Sequence, residues 1–251
     1  MALATRIIPV LLNKNGALVK GRAFNHGRII GHTLQAIRIY QARNVDELVY
    51  LDVTATAERR GPDLAMVSQF ASDCFMPLTV GGGVSTIDHF RDLLAAGADK
   101  VAINTAAIDT PNLIDAAANK FGAQAVVVSI DVKDGRVHGC CGQAVTNRCA
   151  LEWAKEVEAR GAGEILLNAI DRDGTLSGYD LDLVESVSGA VGIPVIACGG
   201  AGHYRDFKLA LDKGAHAVAA SAIWHFCDAT PAEAAEYLHA QGVRVRRKIA
   251  A

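Results

Sequence analysis

The chain has 251 residues, with 25 Lys and Arg against 27 Asp and Glu, and its formal net charge at pH 7 is −2. A charge this close to neutral argues against a protein that binds nucleic acid through a basic face. Hydrophobic residues make up 51% and charged residues 21%, which is typical of a globular protein and excludes wholesale disorder. Single barrels commonly reach about 250 residues, so the length fits one domain as well as two.

Neither a membrane segment nor a metal site is predicted. The first apolar stretch, residues 7–12, is too short for a signal peptide or a membrane span. The six cysteines include no C-x-x-C pair, and Cys140 and Cys141 are adjacent, which suits neither a zinc site nor a disulfide framework. We therefore expect a cytoplasmic protein with reduced thiols, no metal and no cofactor.

Short apolar runs alternate with longer amphipathic stretches along the chain. The runs are rich in Val and Ile, which is typical of strands buried on both faces of a parallel sheet. The predicted strands are residues 6–12, 48–53, 78–80, 100–103, 125–130, 164–169, 195–197 and 217–219. The predicted helices are residues 33–42, 86–96, 111–120, 150–160, 182–188 and 204–213. Eight strands alternating with helices predict an α/β fold, and eight is the number that closes a (β/α)8 TIM barrel.

An internal repeat supports the barrel. An offset of 117 residues pairs Pro77 with Pro194 and Phe90 with Phe207, and it superimposes two glycine clusters described below. A repeat this long indicates duplication of a large unit and not a solenoid. The sequence contains no linker, so we predict a single domain over residues 1–251, built from two similar half-barrels at roughly 1–122 and 123–251.

The two glycine clusters follow predicted strands, at the end of the barrel where active sites lie. They occupy residues 81–83 and 199–202, and the next strand after each ends in small polar residues: Asn104-Thr105 and Ser221. Glycine lets backbone N–H groups approach an anion closely, and a helix N-terminus adds a favourable partial charge. A single cluster would be explained equally well by tight turns. The matched pair predicts two phosphate sites on opposite sides of the mouth, for a ligand with a phosphate at each end.

Carboxylates at strand ends are the candidates for acid–base chemistry. Asp52, Asp131, Asp171 and Asp173 all follow apolar runs. Asp131 facing the mouth would have a pKa raised by partial burial, which suits general acid–base work; the alternative is that it caps a helix. Asp171 is expected to pair with Arg172 or to cap its loop.

Seven stretches carry a resemblance that covers essentially the whole chain: residues 6–9, 46–52, 78–83, 97–101, 161–167, 171–175 and 199–202. With them the sequence resembles the cyclase subunit of imidazole glycerol phosphate synthase. In that family a glutaminase subunit docks at the bottom of a TIM barrel, and ammonia passes up the barrel to a bis-phosphate substrate at the top. The resemblance therefore implies a glutaminase partner and a phosphorylated small molecule.

The resemblance also implies roles for particular residues at the top of the barrel. Lys20 and Asp52 match substrate-site positions. One phosphate would bind at Gly83, Asn104 and Thr105, and the other at Asp173, Gly174, Gly200, Ala220 and Ser221.

Charged residues at strand starts match the family's barrel bottom. The family's ammonia gate is a ring of four charged residues, which match Arg6, Glu47, Lys100 and Glu164. Asp99 matches a position that contacts the glutaminase. Each ring residue stands at or just before the start of a predicted strand, so the bottom placement follows from the sequence as well. The alternative is that these charges only stabilise the bottom of the barrel.

The catalytic pair departs from the family pattern. The family uses two aspartates, at the ends of the first and fifth barrel strands; Asp131 matches the second, but the first falls on Leu12. The repeat agrees, because an offset of 119 residues pairs Leu12 with Asp131. Leucine neither donates nor accepts a proton, and losing one acid–base group typically lowers a rate by about 10²–10⁴-fold. Asn13 is adjacent, but a neighbouring strand residue points to the other face.

Other residues at the mouth differ as well. Asn168 and Ala169 stand where the family has Thr and Ser, and Cys198 stands where it has Ser. With Leu12, these changes resemble a paralogous branch that works with its own glutaminase and a third enzyme. That branch amidates a sugar of surface polysaccharide, turning an acetamido group into an acetamidino group. Three functions stay open: ammonia delivery for sugar amidation, the cyclase of histidine biosynthesis, and a non-catalytic barrel that binds a phosphorylated ligand and activates its glutaminase.

Overall fold

The computed structural model describes residues 4–246 of the chain, except the side chain at position 26. In chain order the strands are β1 (Arg6–Lys14), β2 (Ala17–Arg22), β3 (Asn25–His32), β4 (Leu48–Asp52), β5 (Leu78–Gly81), β6 (Lys100–Ile103), β7 (Val126–Lys133), β8 (Arg136–Gly139), β9 (Ala144–Cys149), β10 (Glu164–Ala169), β11 (Val195–Cys198) and β12 (Ala217–Ala220). The helices are α1 (Thr33–Ala42), α2 (Leu64–Ala71), α3 (Ile87–Ala95), α4 (Thr105–Asp109), α5 (Asn112–Phe121), α6 (Ala150–Ala159), α7 (Leu181–Ser188), α8 (Tyr204–Asp212), α9 (Ile223–Phe226) and α10 (Pro231–Ala240).

Eight parallel strands close into a barrel. Strand β1 pairs with β12 on one side and with β4 on the other, and β7 pairs with β6 and β10, so the eight barrel strands form a closed ring. At least one helix follows each barrel strand before the next one begins. The predicted (β/α)8 TIM barrel is confirmed, and all eight predicted strands and six predicted helices are present with small shifts at their ends.

Two β-hairpins extend the barrel at its C-terminal face and were not predicted. Strands β2 and β3 follow β1, and β8 and β9 follow β7, each beginning with an antiparallel return. The turns are Asn15-Gly16 and Asp134-Gly135, with positive φ at all four residues, as a two-residue hairpin turn requires. The Asn-Gly and Asp-Gly turns are signals that the sequence does carry. The strands beside them are harder to recognise, because they contain many polar side chains and form no continuous apolar run.

The hairpin registers repeat along the chain. Leu12 pairs with Val19 in the first hairpin, and Asp131 pairs with His138 in the second, so both partners are related by the offset of 119 residues. This match supports the prediction of two half-barrels; the boundary between them stays a prediction.

The other differences from the sequence prediction have local causes. Helices α2, α4, α9 and α10 were not predicted, and residues 123–125 form a 3₁₀ turn before β7 instead of its start. Helix α10 had a readable signal, since Thr230 and Glu233 form a capping box with Pro231 at the first turn. Within residues 4–246, no helix is both long and apolar enough to cross a membrane.

Strand side chains alternate between two apolar clusters. One cluster fills the barrel interior, where Ile8, Val49 and Ile196 lie, and the other lies between the barrel and its helices, where Ile7 and Leu48 lie. Both faces of the barrel strands are therefore buried, which explains the continuous apolar runs. The alternation also decides which residues reach the barrel mouth.

We expect equivalent cores in the two halves to contribute equally to stability. Phe90 and Phe207 are related by the 117-residue offset and are both fully buried. Phe90→Ala and Phe207→Ala each remove an aromatic side chain and leave a cavity, so each should lower the free energy of unfolding by about 3–5 kcal/mol in urea titrations. The exposed control Phe75→Ala should change it by less than about 0.5 kcal/mol. A loss below about 1 kcal/mol for either buried residue would contradict this packing.

Candidate functional site

The C-terminal ends of the barrel strands surround a cavity that opens to solvent. All the predicted phosphate-site residues line it, together with Leu12, Asp52 and Asp131: Gly83, Asn104 and Thr105 from one half, and Asp173, Gly174, Gly200, Ala220 and Ser221 from the other. The structure therefore brings the sequence-predicted residues of both halves together in one place. Lys20 is the exception, because it lies behind the cavity wall.

The two glycine clusters hold the main chain against neighbouring loops. Gly83 and Gly200, which the 117-residue offset relates, have φ of 71° and 113°. A Cβ at Gly83 would lie 2.5 Å from the carbonyl oxygen of Arg60, and one at Gly200 would lie 2.2 Å from that of Gly178. Both positions therefore require glycine for conformation and for space. This close packing brings backbone groups to the cavity wall on both sides.

The small polar side chains near these loops are already hydrogen-bonded. The Asn104 amide donates to the carbonyl oxygens of Ser129 (3.0 Å) and His138 (3.1 Å). The Thr105 hydroxyl accepts from the N–H of Cys140 (2.9 Å), and the Ser221 hydroxyl donates to a carbonyl oxygen of β1. These side chains fix the loops. An anion would therefore be bound mainly by backbone N–H groups of the glycine clusters.

Asp131 is a buried carboxyl at the cavity floor. It is 7% exposed, and it accepts hydrogen bonds from the Ser129 hydroxyl (2.9 Å) and from the Asn168 side chain. The pKa of Asp131 is raised to about 7. Burial is the main cause and the charge of Asp173 adds to it, while the two hydrogen bonds oppose the rise. A carboxyl with this pKa can both accept and donate a proton near neutral pH.

Leu12 lies across the barrel from Asp131. Its strand, β1, is four strands from β7 in either direction around the barrel. The Leu12 side chain lines the cavity and packs in the interior cluster with Val10, Val19 and Cys198. Asn13 points away, as expected, and its amide oxygen accepts a hydrogen bond from the Thr33 hydroxyl (2.9 Å). The side chain that β1 places opposite Asp131 is therefore apolar.

Lys20, which is buried, and Asp173, which is partly buried, interact electrostatically at one side of the cavity. The Lys20 ammonium donates to the carbonyl oxygen of Val10 (3.1 Å) and is 2% exposed. Burial lowers the pKa of Lys20 to about 7, and the charge of Asp173 opposes this. Burial raises the pKa of Asp173 to about 6, and Lys20 opposes that in turn. Asp173 lines the cavity and Lys20 does not, so Lys20 acts on the cavity through the pKa of Asp173, which its charge lowers.

Asp52 lines the cavity but is fully engaged in its own loop. One carboxylate oxygen accepts from the N–H groups of Thr54 (3.0 Å) and Ala55 (3.2 Å), and the other pairs with Arg60 (2.8 Å). Asp52 therefore holds the loop after β4 in place. Asp171 was expected to pair with Arg172 or to cap its loop; its ion pair is instead with Lys133, at 3.6 Å.

The four charged residues at the strand starts form a closed ring at the barrel bottom. Arg6 pairs with Glu47 (2.5 Å) and Glu164 (2.8 Å), and Lys100 pairs with the same two glutamates (3.0 and 2.9 Å). Glu47 is 1% exposed and also accepts from the Thr79 hydroxyl. Each charge therefore has two opposite charges as neighbours, and the ring closes the barrel against solvent.

Above the ring the barrel interior is apolar. The interior cluster runs from the ring to the cavity floor, and among its members are Ile8, Val127, Leu166 and Ile196. The first polar side chains beyond it belong to the cavity, where Ser129, Asp131 and Asn168 lie. Asp99, beside the ring, has a structural contact, since its carboxylate accepts from the N–H of Leu78 (2.8 Å).

Comparison with known proteins gives full-length matches. The family model for histidine biosynthesis proteins matches residues 6–230. Imidazole glycerol phosphate synthase subunit HisF from Hyphomonas neptunium is 50% identical over 251 residues, covering 97% of this chain and 99% of the relative. The same subunit from Prosthecochloris aestuarii is 47% identical over 249 residues, with the same coverage. The chain belongs to the HisF family. All predicted site residues lie within the matched span.

Several cavity residues of this HisF-family barrel were not predicted, and Ser129, Phe24 and Cys141 are among them. Ser129 had a readable signal, because it stands two residues before Asp131 on one strand and so shares its face. Phe24 and Cys141 reach the cavity from the two hairpins. The sequence gives no signal for either residue, because the hairpins that carry them were not predicted.

Neither a metal centre nor a reactive thiol is evident in the part of the chain that the structure describes. Within residues 4–246, no group of three or more His, Cys, Asp or Glu side chains is arranged to hold a metal ion. Cys198 is buried, and burial raises the pKa of its thiol well above the ordinary value. The thiol is therefore protonated near neutral pH and serves as an apolar packing group.

We expect Asp131→Asn to change how stability depends on pH. The folded-state pKa of Asp131, about 7, lies above its ordinary value of 3.8, so the native protein holds this proton more tightly than the unfolded chain does. The stability that the proton provides is fully present below the ordinary pKa and is lost as the pH rises through the folded-state value. From pH 4.5 to pH 8, Asp131→Asn should gain on the order of 2–4 kcal/mol relative to the unmodified chain in urea titrations. A constant difference would mean that Asp131 is well solvated.

Proposed function

We propose that this chain is the ammonia-accepting barrel subunit of a glutamine amidotransferase complex, with a glutaminase docked at its N-terminal face. Both relatives are named as subunits of imidazole glycerol phosphate synthase, which supports a partner subunit. The closed ring of Arg6, Glu47, Lys100 and Glu164 supports ammonia passage. A ring of paired charges can open when one pair separates, and the apolar interior above it favours neutral ammonia over ammonium and water.

The cavity at the other end is proposed to bind a ligand with two phosphate groups. Its two glycine clusters lie on opposite sides of the mouth and are related by the repeat, so a ligand that bridges them carries an anionic group at each end. The first phosphate would contact Gly83, Asn104 and Thr105. The second would contact the loops that carry Asp173, Gly174, Gly200, Ala220 and Ser221. Lys20 and Asp52 would hold these loops in position.

We further propose that the ammonia is used for sugar amidation, in the manner of the paralogous branch, together with a third enzyme. The apolar Leu12 opposite Asp131 is the single observation that carries this proposal. A cyclisation that relies on two acid–base groups loses one of them here, while a barrel that conducts ammonia needs only its ring and its interior. A barrel that delivers ammonia would keep the closed charged ring at its bottom, and it could do without the second acid–base group at its top.

The histidine-pathway cyclase is the second candidate. It is favoured by the 50% identity to a HisF subunit and by the Asp131 pKa of about 7, which lets one carboxyl both take up and release a proton. A non-catalytic barrel that binds the phosphorylated ligand and activates the glutaminase is the third. The deciding assay supplies the histidine-pathway bis-phosphate substrate with ammonium salt at raised pH and measures imidazole glycerol phosphate. Turnover near one per second, on the scale of ordinary enzymes, would exclude sugar amidation as the main role.

Leu12→Asp tests whether Leu12 limits imidazole formation. The new carboxyl would face Asp131 across the cavity and restore a second acid–base group, so ammonium-driven turnover should rise by at least about tenfold. Asn13→Asp is the matched control, because it adds a carboxyl one residue away on the opposite face and should give no gain. Equal activity of Leu12→Asp and the unmodified chain would mean that the mouth is built for a different substrate.

Lys100→Ala tests ammonia passage. Removing the Lys100 cation leaves Glu47 and Glu164 with Arg6 as their single partner and opens the ring. Ammonia should then escape, so the glutaminase should consume more glutamine than the complex incorporates into its amidated or cyclised product. Product formation from ammonium salt should stay within about twofold of the unmodified chain, because the mouth is unchanged. Lys213→Ala, which breaks an exposed ion pair with Glu185 on the outside of the barrel, is the control. Unchanged coupling between glutamine use and product would contradict a role for the ring in ammonia passage.

A further inference from the structure

The bottom of the barrel carries a large apolar side chain in water. Phe75 lies in the loop between α2 and β5, and it is 81% exposed. Phe226, the next most exposed phenylalanine, is 43% exposed and stacks with the Arg28 guanidinium at 5.2 Å. Burying a phenylalanine side chain is worth roughly 1.5–3 kcal/mol, and the fold forgoes this stabilisation at Phe75. Phe75 thus offers apolar area that only a second molecule can bury.

The loop presents Phe75 in a fixed position. The N–H of Phe75 donates to the side-chain oxygen of Gln41 on α1 (2.9 Å), and Arg38 of the same helix pairs with Asp73 (2.8 Å). Two contacts to one helix therefore hold the three-residue stretch that ends in Phe75. An aromatic group that is already held in place loses little conformational entropy when a partner covers it.

Phe75 stands at the edge of the charged ring. Its loop enters β5, which lies between the two strands that begin after Glu47 and at Lys100. The carbonyl oxygen of Pro77 accepts from the N–H of the residue that follows Glu47 (2.9 Å). The next residue, Leu78, donates its N–H to Asp99, the residue before Lys100 (2.8 Å). A partner seated over the ring therefore reaches Phe75 without a gap in the surface.

We propose that Phe75 is the apolar anchor by which this barrel holds its glutaminase subunit. The inference rests on the proposed function, because it takes its partner from there. The ring charges are already paired with each other, so they contribute little affinity to a docked subunit. An aromatic side chain on a backbone segment that is anchored to α1 supplies the hydrophobic contact that such interfaces concentrate in a few residues. The glutaminase should therefore carry an apolar pocket opposite Phe75.

The test compares glutaminase binding by three variants of the full chain. The probe is the purified glutaminase subunit from the same organism, and the dissociation constant is measured by calorimetry. Phe75→Ser should raise it by at least about tenfold, and Phe75→Leu, which keeps an apolar side chain, should raise it less. Val145→Ser is the matched control: Val145 is 68% exposed on β9, at the opposite end of the barrel, and its replacement should change the constant by less than about twofold.

Each outcome distinguishes the anchor from the wider proposal. Failure of the unmodified chain to bind the glutaminase overturns the proposed function, and the anchor with it. Binding that Phe75→Ser leaves unchanged overturns the anchor alone. Light scattering on the isolated chain tests whether a second copy of the chain binds at this surface instead. A dimer that Phe75→Ser dissociates would assign the surface to the second copy and overturn the glutaminase contact. Thermal unfolding of all variants should agree, because these side chains are exposed.

Discussion

Closure of the eight-stranded barrel is the constraint on which the rest of the structure depends. Because every strand has two neighbours, alternate side chains must point into an interior that water does not reach. That interior holds three layers along one axis: the ion pairs of Arg6, Glu47, Lys100 and Glu164, then an apolar section, then the polar floor around Asp131. Each of the four charges lies beside two opposite partners, and these contacts offset the loss of solvent. The same closure therefore seals the bottom and buries the carboxyl at the top.

Burial explains the electrostatics of the cavity. The pKa values of Asp131 and Asp173 are raised and that of Lys20 is lowered, in each case first of all by loss of solvent. Asp131 lies at the end of β7, whereas Lys20 lies on β2, beside the strand that carries Leu12, and donates to the carbonyl oxygen of Val10 on that strand. A ligand in the cavity would therefore meet a proton-exchanging carboxyl on the β7 side and the hydrocarbon of Leu12 on the β1 side. This difference is a property of the side chains, since the backbone frame is the same in both halves.

The sequence was informative where both faces of an element are buried and less so elsewhere. The eight barrel strands could be predicted because burial on both faces produces a nearly continuous apolar run, as in residues 195–197. The place of the glycine clusters at the cavity could be predicted because Gly83 and Gly200 follow barrel strands and adopt backbone angles that favour glycine. The hairpins could not be found from apolar runs, since β9 is exposed along most of its length. The engagement of Asp52 with Arg60 depends on a loop conformation that no local pattern encodes.

The two halves share a frame but place different chemistry on it. The offset of 119 residues sets Leu12 against Asp131, Val19 against His138 and Lys20 against Gly139. In each pair one half supplies a polar or charged group and the other an aliphatic residue or glycine. Duplication alone would give two like sites; these substitutions instead give one asymmetric cavity with a glycine cluster on either side. For the proposed ligand with two phosphate groups, each end would meet a similar loop, while the part between the phosphates would meet different side chains from the two halves. The symmetry of the loops and the asymmetry of the mouth would then serve the same proposed ligand, because the first would bind its ends and the second would fix which end lies where.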